Sequence, residues 1–155
     1  MCCVIPPASE PTTSDSRTFK DFRVTLWRWR DDLQRDFAAR ITWTTRAVAD
    51  TNHPPRARLT HGASLRVKAG QALVLDGSAS TDPDGDSLSY LWFEYPEAGT
   101  CPTRFTFAGA ANMARVNVTA PAVQKPETTH FILRVTDKGR PALTRYRRVI
   151  VTVVP

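Results

Sequence analysis

The chain has 155 residues, of which 41% are hydrophobic and three are cysteines, and a formal net charge of +6. That is room for one domain with a packed core, and too few cysteines for a disulfide scaffold. No apolar run approaches the ~20 residues of a membrane span, and the start, MCCVIPPASEPTTSDS, lacks the basic and apolar regions of a secretory leader.

The charge is unevenly placed. Residues 17–58 carry ten Arg or Lys against five Asp. A basic helix can bind nucleic acid, but here the arginines alternate with Asp31, Asp32 and Asp36. Mixed signs of this kind suit a solvated face, or one packed on an acidic neighbour, and no nucleic-acid partner is expected.

Residues 1–18 are rich in Pro, Ser and Thr without periodicity, and read as disordered. Residues 26–41 then change character. Trp29, Leu33, Phe37 and Ile41 recur every four positions, which predicts an amphipathic helix with one apolar stripe. Asp31 and Asp32 suit its first turns, where the helix dipole favours negative charge. The stripe has no evident partner in the chain, so Trp27, Trp29 or Trp43 should stay partly exposed.

Residues 47–58, AVADTNHPPRAR, form a linker, because Pro54-Pro55 forces an extended path. Beyond it the period falls to two. Leu65 and Val67 alternate, then Leu73 and Leu75, with a turn at Ala69-Gly70 between them. Leu88, Tyr90 and Trp92 share one face of the next strand, and Leu91 and Phe93 the other. Phe105 with Phe107, Val116 with Val118, and Phe131 with Leu133 and Val135 continue the alternation. Val149, Val151 and Val153 close it. About seven short strands separated by turns predict an all-β, Ig-like sandwich over residues 59–155, with a barrel as the alternative. Trp92, on the third strand, should be its core anchor.

Asp82-Pro83-Asp84-Gly85-Asp86 places carboxylates at i, i+2 and i+4, where they can converge on one hard cation such as calcium. It is not an EF-hand, since the sixth position is Ser87 and the twelfth Phe93. The same residues also suit a tight turn. In an Ig-like sandwich the loop after the sixth strand lies at the same pole, so Asp137 should approach the Asp82–Asp86 loop. Either calcium or the neighbouring Lys138 and Arg140 would then relieve four crowded carboxylates. Phe93 and Tyr95 are the candidates for stacking on a sugar. His53, His61 and His130 have no spaced ligand or nucleophile beside them, so no catalytic group is expected.

Residues 77–86, GSASTDPDGD, followed by Tyr90-x-Trp92 and later by VTAP and LRVTDKG, resemble the PKD-type Ig-like repeat. A longer match runs through WRWRDDLQRDFAARITW, NHPP, LDGSASTDPDGDSLSYLWFEYPEAGT and THFILRVTDKGRPALTRYRRVIVTV. These segments resemble the C-terminal part of a bacterial family of cellulose-binding proteins, whose long members begin with a nucleoside-hydrolase-like domain. The resemblance implies a PKD- or cadherin-like sandwich that follows a hydrolase-like domain. Residues 19–46 would be that domain's helical tail. It further implies a non-catalytic accessory module, extracellular or periplasmic, with polysaccharide as a partner. The alternatives are a structural cap that binds only its upstream domain, and adhesion through stacked modules. The hydrolase-like domain's catalytic aspartates have no counterparts in these residues.

Overall fold

A computed structural model describes residues 27–155. The expectations for residues 1–18 and for the start of the helical tail lie outside the described residues. The helix α1 runs Arg30–Trp43, with Asp31 and Asp32 in its first turn and Arg40 in its last. It thus begins and ends later than the apolar period suggested: a turn at Arg28 and Trp29 precedes it, and the Thr44 and Thr45 N–H groups close it onto the Ile41 and Thr42 carbonyls.

Seven strands follow: β1 (Ser64–Lys68), β2 (Ala72–Asp76), β3 (Ser89–Glu94), β4 (Thr106–Phe107), β5 (Arg115–Thr119), β6 (Glu127–Thr136) and β7 (Thr144–Val154). They form two sheets, ordered β1-β7-β6-β3 and β2-β5-β4. Two separate sheets make an open sandwich of Ig-like type and dispose of the barrel. All pairings are antiparallel except β1 with β7, where Leu65 lies opposite Val151 and Val67 opposite Val153.

The period-two faces close the core. Trp92, Phe131, Leu133, Val135, Val149, Val151 and Val153 are all buried, and Trp92 is 1% exposed. Phe131 meets Phe105 and Phe107 edge to face at 5.1 and 6.1 Å, joining the sheets. The strand expected around Phe105 shrinks to Thr106–Phe107, yet Phe105 remains buried. On the opposite, outer face of the four-stranded sheet, Leu91 lies opposite Arg134 and Phe93 opposite Ile132. On the same face Arg134 lies opposite Tyr146. This outer face carries the helix.

Candidate functional site

Asp32, Asp36, Ala39 and Trp43 fall on one face of α1, four, three and four residues apart. That face, rather than the apolar stripe, is the one turned to the sandwich. The Asp32 carboxylate accepts from the Tyr146 hydroxyl, from Thr144 Oγ1 at 3.3 Å and from Arg134 at 3.4 Å. Asp36 pairs with Arg145 at 2.9 Å. Burial, and then the Asp32 carboxylate, push the Tyr146 phenol well above its ordinary value, so it stays a donor. Ahead of the helix, Arg28 reaches Glu97 at 2.9 Å and lies over the Tyr95 ring at 5.1 Å.

Trp29 sits at the centre of this contact. Its ring meets Tyr146 edge-on at 4.7 Å, Phe93 at 6.1 Å and Tyr95 at 6.4 Å. The two residues expected to stack on sugar are therefore grouped with a third aromatic, and all three lie against Trp29. Sequence reasoning missed Tyr146, Asp32 and Asp36. Two carboxylates four residues apart on one flank of the stripe were the available signal.

Of the stripe, Trp29 turns inward, while Leu33, Phe37 and Ile41 face outward, with Trp27 beside them. Trp27, Leu33, Phe37 and Ile41 are 42, 59, 66 and 53% exposed. Trp27, Arg30, Leu33, Gln34 and Phe37 line a shallow apolar groove. Of the aromatics near the helix, Trp27 remains exposed while Trp29 and Trp43 are half-buried.

At one pole of the sandwich, oxygens of Asp82, Asp84 and Asp86 all lie within 4.8 Å of one another. Asp82 Oδ1 accepts the N–H groups of Asp84 and Asp86 at 2.9 and 3.1 Å, and Gly85 at φ 82° turns the loop where a side chain would be strained. Asp82 Oδ2 is buried without a hydrogen-bond partner. Burial, then Asp82, Asp137 and Asp84, hold the Asp86 carboxyl above the usual carboxylate range. Asp137 thus acts on this loop, but it is not among the three converging carboxylates. It is fully buried and accepts the N–H groups of Gly139 and Leu143, each at 3.0 Å.

The pole's partners come from the linker rather than from Lys138 and Arg140, which are exposed. Asn52 Nδ2 donates to both Asp137 oxygens at 3.2 Å and to the Pro141 carbonyl at 2.8 Å. Asn52 packs so closely on Gly139 that any Cβ there would collide with it. The His53 N–H donates to Asp84 Oδ2 at 2.6 Å, and its Nδ1 lies 3.0 Å from Oδ1. The His53 ring stacks on Trp43 at 5.5 Å, and Trp43 Nε1 donates to the Asn52 carbonyl at 2.9 Å. Residues 52–53 therefore fasten the end of α1 to the acidic pole.

The other histidines are placed structurally. His61 Nε2 accepts the Asp76 N–H at 3.1 Å, and His130 is buried on β6, where burial and then Arg148 lower its basicity. No helix among the described residues is long and apolar enough to cross a membrane.

The two-sheet sandwich, with its acidic turn and its core tryptophan, is a C-terminal module of Ig-like type. The family described as cellulose-binding protein Sde0182, C-terminal domain, matches residues 72–153. The chain belongs to that family. A nucleoside hydrolase-related hypothetical protein from Saccharophagus degradans, associated with carbohydrate metabolism, superposes with a TM-score of 0.76 at 33% identity. The match covers 81% of this chain and 32% of that one, so the chain corresponds to a C-terminal fragment of such a protein. A 2,6-sialyltransferase from a Photobacterium overlaps at TM-score 0.42 and 15% identity, over 59% of this chain and 17% of its own, too remote to bear on either fold or function. No curated protein matches.

Proposed function

We propose that the chain is a non-catalytic accessory module of a secreted or envelope-associated, carbohydrate-handling protein. Its working contact is the outward face of α1, which seats against a nucleoside-hydrolase-like domain. One observation carries this reading: a helix pinned to the sandwich by its polar side presents Leu33, Phe37 and Ile41 to water. Contiguous exposed apolar side chains of this kind mark a protein contact. The S. degradans relative is nucleoside hydrolase-related, and about two thirds of it lies outside the match, which leaves room for such a domain. The test supplies that unmatched part in trans and measures binding by titration calorimetry. The native chain should bind, and Phe37→Asp should not, with an unchanged unfolding midpoint. Equal binding by both, or none by the native chain, would count against the helix face.

A second reading, polysaccharide binding, is favoured by the family's description and by the gathering of Phe93, Tyr95 and Tyr146 on one face. Retention of the chain on insoluble cellulose, lost in Phe93→Ala with Tyr95→Ala, is the expected result.

Calcium is proposed for the acidic pole. Three converging carboxylates and the orphaned Asp82 Oδ2 suit a hard cation that takes oxygen ligands. Asp82, Asp84 and Asp86 would hold it, and its role would be to steady the loop. Calcium should raise the melting temperature and a chelator should return it. An unchanged melting temperature would count against calcium and leave the pole to its own hydrogen bonds and the linker fastening.

A further inference from the structure

The aromatic cluster and the polar groups around it form a single surface, and α1 lies across it. Phe93 and Tyr146 stand on the outer face of the four-stranded sheet, with Tyr95 directly after β3. Glu97, Arg134, Thr144 and Arg145 surround them and offer both donors and acceptors. Aromatic rings ringed by a few polar groups are the make-up of a site for a sugar, whose ring has an apolar C–H face and a hydroxyl rim. Every one of these groups is engaged by the helix segment. Trp29 stacks among the rings, and Arg28, Asp32 and Asp36 engage the polar rim.

The hold of α1 is chiefly polar, centred on Asp32 with Tyr146, Thr144 and Arg134. Leu33, Phe37 and Ile41, by contrast, point away from the sheet. The fastening ion pairs are partly open to water, with side-chain exposures of 16 and 10% for Arg28–Glu97, and 33 and 23% for Arg145–Asp36. Pairs like these are individually weak and screened by salt. Residues 44–50, which follow the helix, are all exposed. An isolated helix of 14 residues is also marginal in water, so it needs a surface but not this one in particular.

We infer that Phe93, Tyr95 and Tyr146 form a polysaccharide platform, and that α1 is its displaceable cover, with Trp29 occupying the place of a stacked sugar ring. This inference rests on the polysaccharide reading above. Because a closed site binds only through its open fraction, loosening the cover raises the apparent affinity in proportion.

The test uses the full chain and two opened variants, Asp32→Asn with Asp36→Asn, and Trp29→Ala, on insoluble cellulose and with soluble cello-oligosaccharides. Loss of the two partly buried ion pairs, to Arg134 and Arg145, should strengthen binding about tenfold or more. Adding Phe93→Ala and Tyr95→Ala to the opened chain should remove the gain. Circular dichroism and melting confirm folding. Should Trp29→Ala fail to fold, the double Asp variant carries the comparison alone. If the native chain and the opened variants bind equally, the cover is wrong and the polysaccharide reading stands. If none binds, both fail. A gain that survives the loss of Phe93 and Tyr95 removes the platform.

Discussion

Asp137→Ala should lower the unfolding free energy by about 3 kcal/mol, the scale set by buried hydrogen bonds to a charged group. The carboxylate is fully buried and accepts from Gly139 N–H, Leu143 N–H and Asn52 Nδ2. Truncation leaves all three donors facing a void. Asp86, which Asp137 repels, is eased by the change. It lies in a solvated loop, so the relief is small beside the loss. Asn52→Ala should cost less, about 1 kcal/mol, because the two backbone donors keep their acceptor. Urea unfolding measures both. A loss below 1 kcal/mol for Asp137→Ala would mean that the β6–β7 turn is held by its packing alone.

Asp76→Asn should cost about 2 kcal/mol at neutral pH and progressively less in acid. Asp76 ends β2 and is 5% exposed. Burial would raise its pKa, but the Ser78 hydroxyl and N–H, Arg115 at 2.7 and 2.9 Å, and Thr60 outweigh burial and hold the carboxyl well below the carboxylate range. With a depressed folded pKa, the stabilisation is present above the ordinary carboxylate value and is lost as pH falls towards the folded value. The two proteins' stabilities should therefore converge below about pH 4. Glu94 works in the opposite sense. Burial raises it, despite donation from the Phe105 N–H and from Arg104. Its contribution is present below the ordinary value and fades as pH rises through the folded value. On mild acidification Glu94 therefore gains what His130, whose basicity burial lowers, begins to lose, and Glu94→Gln should remove the gain alone. A gap between native and Asp76→Asn that stays constant from pH 7 to pH 3 would exclude the role given to Asp76.

The sandwich was legible because strand burial has a period of two, and Phe131, Leu133 and Val135 or Val149, Val151 and Val153 display it without interruption. The outward stripe of α1 was legible for the same reason at a period near four. What the pattern could not carry was the identity of partners far apart in sequence. Asn52 and Asp137 are 85 residues apart, and Asp32 and Tyr146 are 114 apart. Lys138 and Arg140 looked like the natural counter-charges because they adjoin Asp137. Fixed turn geometry instead presents the carboxylate inward, where a short amide from the linker reaches it and long cations stay in water. Phe93 and Tyr95 were recognisable as surface aromatics, but periodicity is silent on what lies over a sheet. The cover of Trp29 on them comes from segments more than 60 residues apart.

The fastening at Asn52 and His53 sits beside the C-terminal end of α1, whereas Trp29 sits at the other. Fourteen residues at 1.5 Å each make an arm of about 21 Å, which stays tethered at this end when the contacts of Arg28, Asp32 and Asp36 are released. Trp29 is then never diluted away from the ring cluster. It competes at a high effective concentration fixed by the arm, whatever the concentration of the protein. A dissolved monosaccharide meets that rival one contact at a time. A long polymer, touching several points of the sheet at once, gains its own effective concentration and can match it. On the proposed cover, the tether would select for extended chains over single sugars.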